Sequence, residues 1–246
     1  LPIRDVLRIA WVGFLLAVHW LLFYGSIKYS NVSIGLVCFA SLGFFTAIID
    51  PIWSKRPFSA LEIGLSLLTI LGIALIFHFD TRYQTGVILG VLSAIVGAML
   101  TIENRRVGSE YPLMTFLFYE LLASFVIMSL ILPIYLKFFP VATIVPDTRD
   151  FFYLFCLASF CTVGMFSLQV EALKRLSAFT VNLSYNLEPV YSIVLAMIIF
   201  HEAKDLNFSF YIGLALICAS VVLQSGIHYV KHKRAKLQKA GEPKKF

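Results

Sequence analysis

Residues 167–223 read SLQVEALKRLSAFTVNLSYNLEPVYSIVLAMIIFHEAKDLNFSFYIGLALICASVVL. Residues 23–77 repeat the same order of features as FYGSIKYSNVSIGLVCFASLGFFTAIIDPIWSKRPFSALEIGLSLLTILGIALIF. Each copy has a Lys followed by small polar residues, then a long apolar run, a charged link and an Ile-Gly-Leu run. The copies are 146 residues apart at Lys28 and Lys174, and 149 residues apart at Gly64 and Gly213. A duplicated membrane block is typical of transporters built from two related halves.

The composition places the chain in the membrane class. Its 246 residues are 59% hydrophobic and 14% charged, whereas about a quarter of the residues in soluble proteins are charged. The apolar runs are about 20 residues long, which is enough to cross a hydrocarbon core of about 30 Å. They are continuous and do not alternate, which excludes a membrane β-barrel. The sequence predicts an all-α, polytopic helical membrane protein.

Eight membrane spans are predicted, and the distribution of basic residues orients them. Fifteen of the 20 Lys and Arg residues fall before span one, after span eight, or in the links after spans two, four and six. Basic residues concentrate on the cytoplasmic side, so we expect both ends of the chain to be cytoplasmic, in the plasma membrane of a bacterium-like cell. The predicted spans are residues 9–28, 32–53, 60–79, 85–102, 112–136, 150–172, 178–200 and 208–230.

The duplication divides the chain unequally. Residues 84–230 hold a five-helix second repeat, and residues 1–83 hold only the last three helices of the first. We therefore expect an inverted five-plus-five repeat with eight of its ten helices present, and a parent protein with two further N-terminal spans. The basic segment 231–246 is predicted to be a cytoplasmic tail. It acts either as a topological stop signal or as a contact for anionic lipid headgroups.

The seventh span carries an unusual polar stripe, VNLSYNLEPV. Asn182, Tyr185, Asn186 and Glu188 are too costly to expose to lipid, so this helix must face protein or water. Pro189 removes one backbone N–H and is expected to kink the helix. The stripe is either hydrogen-bonded contact between helices or the lining of a cavity. The first copy has no Glu-Pro pair, so we expect a polar, Pro-broken helix only in the second copy.

Two further groups of residues are candidates for function. Glu120 is an acid about eight residues into span five, where a lone carboxylate is expected to be protonated or paired. It is a candidate for proton coupling, for cation binding or for a structural link. In span one, His19, Trp20 and Tyr24 form a patch at helical spacing, which either packs against neighbouring helices or contacts a solute.

Other classes of protein are not supported. The sequence lacks the motifs of metalloproteases, hydrolases and nucleotide-binding loops, so we expect no enzyme. No metal site, cofactor or nucleic-acid partner is predicted, because the four cysteines lie in apolar runs and the basic residues lie in short links. Gly86, Gly90, Ala94 and Gly97 predict a face of span four that packs closely on another helix.

The second copy resembles the EamA-type members of the drug/metabolite transporter superfamily. The resemblance is carried by Lys174, Ala178, the Leu-Glu-Pro at 187–189, Glu202 and Gly213. It implies ten helices, the export or exchange of small metabolites, and a central cavity lined by spans one, two, six and seven. It also implies that Glu188 and Pro189 form a kink beside the cavity and that Glu202 is an acid at the external end.

Together these features predict a secondary transporter that moves a small-molecule solute by alternating access, with membrane lipids around it. The alternative is a membrane receptor or scaffold on the same fold that transports nothing. Glu120 is the candidate for coupling, and Pro189 for the helix kink. The predicted solute-binding residues are His19, Trp20, Tyr24, Asn182, Tyr185, Asn186 and Glu188.

Overall fold

The computed structural model describes residues 1–30, 32–55, 57–77, 84–140 and 145–185, together with nine single residues between 188 and 223. All regular structure in these ranges is helical. A π-helical segment, Leu157–Gly164, joins α7 to α8 in one continuous rod. The helices are α1 (Ile3–Tyr29), α2 (Val32–Ala40), α3 (Leu42–Ser54), α4 (Ala60–Phe77), α5 (Gln84–Gly108), α6 (Leu113–Phe138), α7 (Thr148–Cys156), α8 (Met165–Leu173) and α9 (Ala178–Ser184).

Five helical segments of the described chain are long and apolar enough to cross a membrane. They match the predicted spans one, two, four, five and six, so the chain is a polytopic helical membrane protein. Helix α4 lies where the third span was predicted, and α9 covers the start of the seventh. Apart from Tyr185, Glu188 and Tyr191, the rest of the seventh span lies outside the described residues, as do most of the eighth and the tail at 231–246. The five segments are Ile3–Tyr29, Ile34–Ser54, Gln84–Gly108, Leu113–Phe138 and Thr148–Leu173.

Helix α1 is central, and α5, α6 and α8 pack around it. Its apolar side chains form one cluster with those of the three other helices, including Leu16, Leu100, Phe116 and Phe166. Helix α6 and the α7–α8 rod are peripheral, because only 17% and 6% of their apolar windows are buried, against 50% for α5. Their remaining apolar surface suits contact with lipid, where soluble proteins would carry polar residues.

Helix α5 approaches its neighbours through small residues. A Cβ placed on Gly90 would lie 2.6 Å from the Cβ of Cys38, and one on Gly97 would lie 3.0 Å from Nδ1 of His19. The first distance is shorter than real Cβ contacts and the second is tighter than nine in ten of them, so a larger residue at either position would force its neighbours to shift. Ala94 is fully buried on the same helix. The predicted close-packing face of span four is confirmed.

The second span is interrupted where the sequence predicted a continuous helix. Helix α2 ends at Ala40 and α3 begins at Leu42. The hydroxyl of Ser41 donates to the carbonyl oxygen of Cys38 at 2.6 Å, and such local bonds compete with the helical ladder. This break contains a Ser and no Pro. Pro189 lies outside the described residues, so a Pro-broken helix in the second copy alone stays a prediction.

The helix ends lie on two opposite sides of the protein, in the grouping that the basic residues predict. Arg8, near the start of α1, donates from both terminal nitrogens to Glu110 in the α5–α6 link, at 2.8 and 2.9 Å. At the opposite end of α1, the ammonium of Lys28 donates to the hydroxyl of Tyr135 in the last turns of α6 at 2.6 Å. The start of α1 and the α5–α6 link therefore lie on one side, as predicted, and the other ends of α1 and α6 lie on the opposite side. That the first of these sides is cytoplasmic stays a prediction.

Candidate functional site

A cavity of about 150 Å³ lies between α1, the α2–α3 region, α5, α8 and the residues that follow α9. Aromatic rings line much of it. Phe39 packs against Tyr185 with ring centroids 5.8 Å apart, and Trp20 meets Phe166 edge to face at 6.0 Å. The rings enclose the cavity from both halves of the chain. Its aromatic residues are Trp20, Phe23, Tyr24, Phe39, Phe166 and Tyr185.

Five of the seven predicted solute-binding residues line this one cavity. They are His19, Trp20 and Tyr24 from α1, with Tyr185 and Glu188 from the predicted seventh span. Spans one and seven, far apart in sequence, therefore bring their polar and aromatic residues together. The predicted residues Asn186 and Pro189 lie outside the described residues, as does Glu202.

Asn182 lies apart from the cavity lining and makes a contact between helices. It is fully buried, and its amide nitrogen donates to the hydroxyl of Thr46 on α3 at 2.6 Å. That hydroxyl in turn donates to the carbonyl oxygen of Leu42 at 2.8 Å. This arrangement matches the first reading of the polar stripe, a hydrogen bond that joins helices, while Tyr185 and Glu188 match the second reading.

The imidazole of His19 is held in one orientation by α5. Its Nδ1 lies 2.9 Å from the carbonyl oxygen of Ser93 and 3.0 Å from the Ser93 hydroxyl, which also donates to the His19 carbonyl at 3.2 Å. Because a carbonyl oxygen only accepts, Nδ1 carries the hydrogen of that bond, and a neutral ring keeps Nε2 as an acceptor. Phe23 and Phe39 pack on the ring, at 6.1 and 5.7 Å between centroids.

Glu188 is the one acidic residue of the lining, and no described Lys or Arg lines the cavity with it. Its side chain is partly buried, one turn after Tyr185. A carboxylate surrounded by aromatic faces attracts a positive group, since the ring quadrupole and the charge act in the same direction. The site is therefore electrostatically suited to a cation more than to an anion.

Several lining residues were not predicted from the sequence. Thr101 of α5 and Gln169 of α8 add polar groups, and Phe39 adds a ring. Gln169 stands in an apolar helix one turn from Phe166, which is a signal that helical spacing could have found. Phe39 gives no such signal, because it is one of 23 phenylalanines in the chain. The lining also includes α5, beyond the spans that the family resemblance implied.

A larger surface groove, about 660 Å³, lies at the opposite end of α1. Arg4, Arg8, Glu103 and Arg106 line it. Three of these charged groups are engaged: Arg8 pairs with Glu110, and Arg106 lies 3.7 Å from Glu103. The smaller cavity is the better candidate, because residues from distant parts of the chain line it and its carboxylate is free of a basic partner among the described residues.

Glu120 lies outside the cavity, on α6, and its side chain is fully buried. Neither carboxyl oxygen has a hydrogen-bond partner within the described part of the chain. Asn104 of α5 faces it. Among the described residues no group of three or more His, Cys, Asp or Glu side chains could hold a metal ion.

The fold and the cavity define a multi-pass helical membrane protein with an aromatic and acidic pocket between its two halves. The sequence profile of the EamA-like transporter family matches residues 84–226, and the chain belongs to this family. The predicted resemblance is thereby confirmed, and the family is one of membrane transporters. A solved crystal structure has the same fold, with a TM-score of 0.66 and 13% sequence identity over 90% of this chain and 75% of that one. A search of curated protein sequences gave no match.

Proposed function

We propose that the protein is a secondary transporter that moves a small metabolite or drug-like solute across the plasma membrane by alternating access, in the direction of export. Both ends of the described chain face the cytoplasm in this proposal, and lipids cover α6 and the α7–α8 rod. One observation carries it: a single cavity is lined by residues from both predicted repeats.

The position of the cavity between the repeats supports alternating access. His19, Trp20 and Phe39 belong to the proposed first repeat, residues 1–83, whereas Gln169 and Glu188 belong to the proposed second repeat, residues 84–230. When one repeat rocks against the other, a site at their boundary opens to one side and then to the other. A receptor has no need for a solute site at that boundary.

The lining supports a small solute with a positive charge. The volume of about 150 Å³ equals the space of about five water molecules at roughly 30 Å³ each. Glu188 supplies a negative charge, and the rings of Trp20 and Tyr185 supply faces that attract an ammonium group. His19 offers an acceptor nitrogen and no positive charge. A small amine or quaternary ammonium compound fits these properties better than a carboxylate.

Binding measurements test the solute class. Purified protein would be titrated with choline, with its uncharged isostere 3,3-dimethyl-1-butanol and with the anion 3,3-dimethylbutyrate. We expect choline to bind at least tenfold more tightly than the two others. Glu188→Gln should remove the preference, while Glu171→Gln, which changes an exposed acid that pairs with Lys174, should keep it. Equal binding of the three compounds would contradict the proposed solute class.

Flux measurements test the transport itself. In proteoliposomes loaded with unlabelled choline, the wild-type protein should accumulate labelled choline by exchange, and Glu188→Gln should not. If choline binds to the purified protein but no exchange occurs, the receptor or scaffold alternative is favoured. If other amines exchange and choline does not, transport stands and only the solute class needs revision.

A further inference from the structure

A second buried polar site lies between α1, α5 and α6, separate from the cavity. The carboxyl of Glu120 faces the amide of Asn104. The two side chains are 0% and 1% exposed, and both polar atoms of each have no hydrogen bond of good geometry to the described residues. Four buried polar atoms without partners are unusual, because nearly all such atoms in native proteins are hydrogen-bonded. This pair therefore calls for a chemical explanation.

The site lies next to the cavity along α5. Thr101 lines the cavity, and Asn104 follows three residues later on the same helix, about 4.5 Å along its axis. The apolar cluster that contains Leu16, Leu100 and Phe116 occupies the same region. A polar site and a cavity on one rigid helix can respond to the same movement.

The packing around Glu120 is tight on the side of α1. Gly13 lies against the backbone of Glu120, and the Ser124 hydroxyl donates to the Gly13 carbonyl oxygen at 2.7 Å. The same hydroxyl lies 3.1 Å from the Glu120 carbonyl oxygen. The backbones of α1 and α6 are therefore in close contact here, and the carboxyl of Glu120 is buried away from the surface.

Among the described residues, no basic group pairs with Glu120. Arg8 is engaged by Glu110, and Arg106 lies beside Glu103. An ionised carboxylate buried without a partner costs several kcal/mol in a membrane protein. Within about two helical turns of the pair on each packed element, the titratable side chains are Arg8 and His19 of α1, Glu103, Arg105 and Arg106 of α5, Tyr119 of α6 and Glu171 of α8.

A protonated, uncharged carboxyl on Glu120 would give these buried polar atoms hydrogen-bond partners. A protonated carboxyl can donate its O–H to the amide oxygen of Asn104 and accept an N–H from the same amide, so that two hydrogen bonds close between the side chains. The two side chains are neighbours in the packed protein, which is the condition for these bonds. An ionised carboxylate could only accept, and the amide oxygen of Asn104 would then stay without a donor.

We propose that Glu120 and Asn104 form a proton-binding site. The carboxylate takes one proton from hydronium, leaving water, when α1, α5 and α6 pack together. It returns that proton to water when the contact between α1 and α6 opens. Opening this contact is thus linked to proton release. If the proposed transport function holds, this proton is the coupling ion, and only that last step rests on the proposed function.

Infrared spectroscopy of the full chain in nanodiscs tests the proton directly. At neutral pH we expect a C=O stretching band of a protonated carboxylic acid that is absent in Glu120→Gln and present in the control Glu171→Gln. Asn104→Leu should keep the band and shift it to higher frequency, because the hydrogen bonds are lost. The proposal is overturned if Glu120→Gln removes a carboxylate band instead, or if that carboxylate band moves when sodium is added, which would indicate a metal cation.

Unfolding measurements provide a second readout. The folded protein holds a proton that the unfolded chain releases above about pH 4.3, so raising the pH favours unfolding, by at most tenfold in the equilibrium constant per pH unit. Between pH 6 and 9 this dependence should be weaker in Glu120→Gln than in the wild type. Glutamine reproduces the shape and neutrality of the protonated acid, so a variant that fails to fold would itself contradict the proposal.

The coupling step has its own test. Choline exchange needs no net proton movement, whereas accumulation driven by a pH gradient does. We expect Glu120→Gln to keep exchange and to lose accumulation. If the infrared band is found but no solute moves in any variant, the proton site stands and the transport proposal fails. If gradient-driven accumulation survives in Glu120→Gln, the coupling step is wrong.

Discussion

The contact between α1 and α6 makes a sharp prediction about one glycine. In Gly13→Ala, the new Cβ would lie 2.7 Å from the Cβ of Ala123 and 3.2 Å from the backbone nitrogen of Ser124, and closer still to the carbonyl oxygen of Glu120. Carbon atoms normally pack about 3.5–4.0 Å apart. None of these atoms can rotate away, so the two helices must separate by roughly 1 Å.

The cost of that separation follows from two contributions. Overpacking of a well-packed interface costs about 1–3 kcal/mol. The Ser124 hydroxyl bond to Gly13, now 2.7 Å, would lengthen beyond hydrogen-bonding distance and lose about 0.6 kcal/mol. Alanine returns up to about 1 kcal/mol through its higher helix propensity. We expect a net loss of about 1–3 kcal/mol, or roughly 2–12 °C in the unfolding temperature of a chain of this size.

Gly64→Ala is the matched control. It lies within α4, and a Cβ there would meet no atom of the described residues within 4 Å. The same helix-propensity gain then acts alone, so the unfolding temperature should stay constant or rise by up to about 4 °C. Thermal unfolding of both variants in one detergent measures the difference. Two variants that shift the transition equally would refute the packing argument.

Three further predictions concern individual polar contacts. The hydrogen bonds and charge of Arg8 hold the pKa of the Glu110 carboxyl below its usual range. This ion pair therefore stabilises the folded protein above about pH 4.3, and the stabilisation is lost as the pH falls through the lowered pKa. The acid-induced drop in unfolding temperature should therefore be smaller in Glu110→Gln. A double-mutant cycle of Thr46→Val and Asn182→Leu should give a coupling free energy of unfolding of about 0.6 kcal/mol, and of at most about 1.7 kcal/mol. A coupling free energy of zero would exclude the hydrogen bond. Ser93→Ala removes a hydroxyl that bonds the cavity histidine and should cost about 0.5–1.5 kcal/mol by thermal unfolding.

The sequence predicts the helical membrane architecture well, because hydrocarbon thickness dictates the length of every apolar run. The glycine face of α5 was also predictable, since small residues at helical spacing have few other uses in a membrane. The break at Ser41 was not. A serine side chain bonds its own helix in many contexts, and nothing in the sequence indicates which serines interrupt the ladder.

The candidate site was predictable to the extent that it uses polar residues in apolar helices. His19 and Glu188 could be selected because their burial needs a reason. The hydrogen-bond partner of each polar residue could not be predicted, however, because that partner depends on how helices from distant parts of the chain are rotated about their axes. Asn182 illustrates this limit. Its amide donates a hydrogen bond to Thr46, 136 residues earlier in the sequence, and so does not line the cavity beside Tyr185.

Glu188 and Glu120 differ in surroundings, and this difference argues for different roles. Glu188 lies in an open cavity among aromatic rings, where a positively charged solute can approach and compensate an ionised carboxylate. Glu120 is fully buried and its backbone packs closely against Gly13 of α1, so a solute has no direct access to its carboxyl. Helix α5 joins the two sites through Thr101 and Asn104. A movement of α1 away from α5 and α6 would therefore hydrate Glu120 and widen the cavity in a single step, and this is the geometric condition for exchanging a proton against a solute.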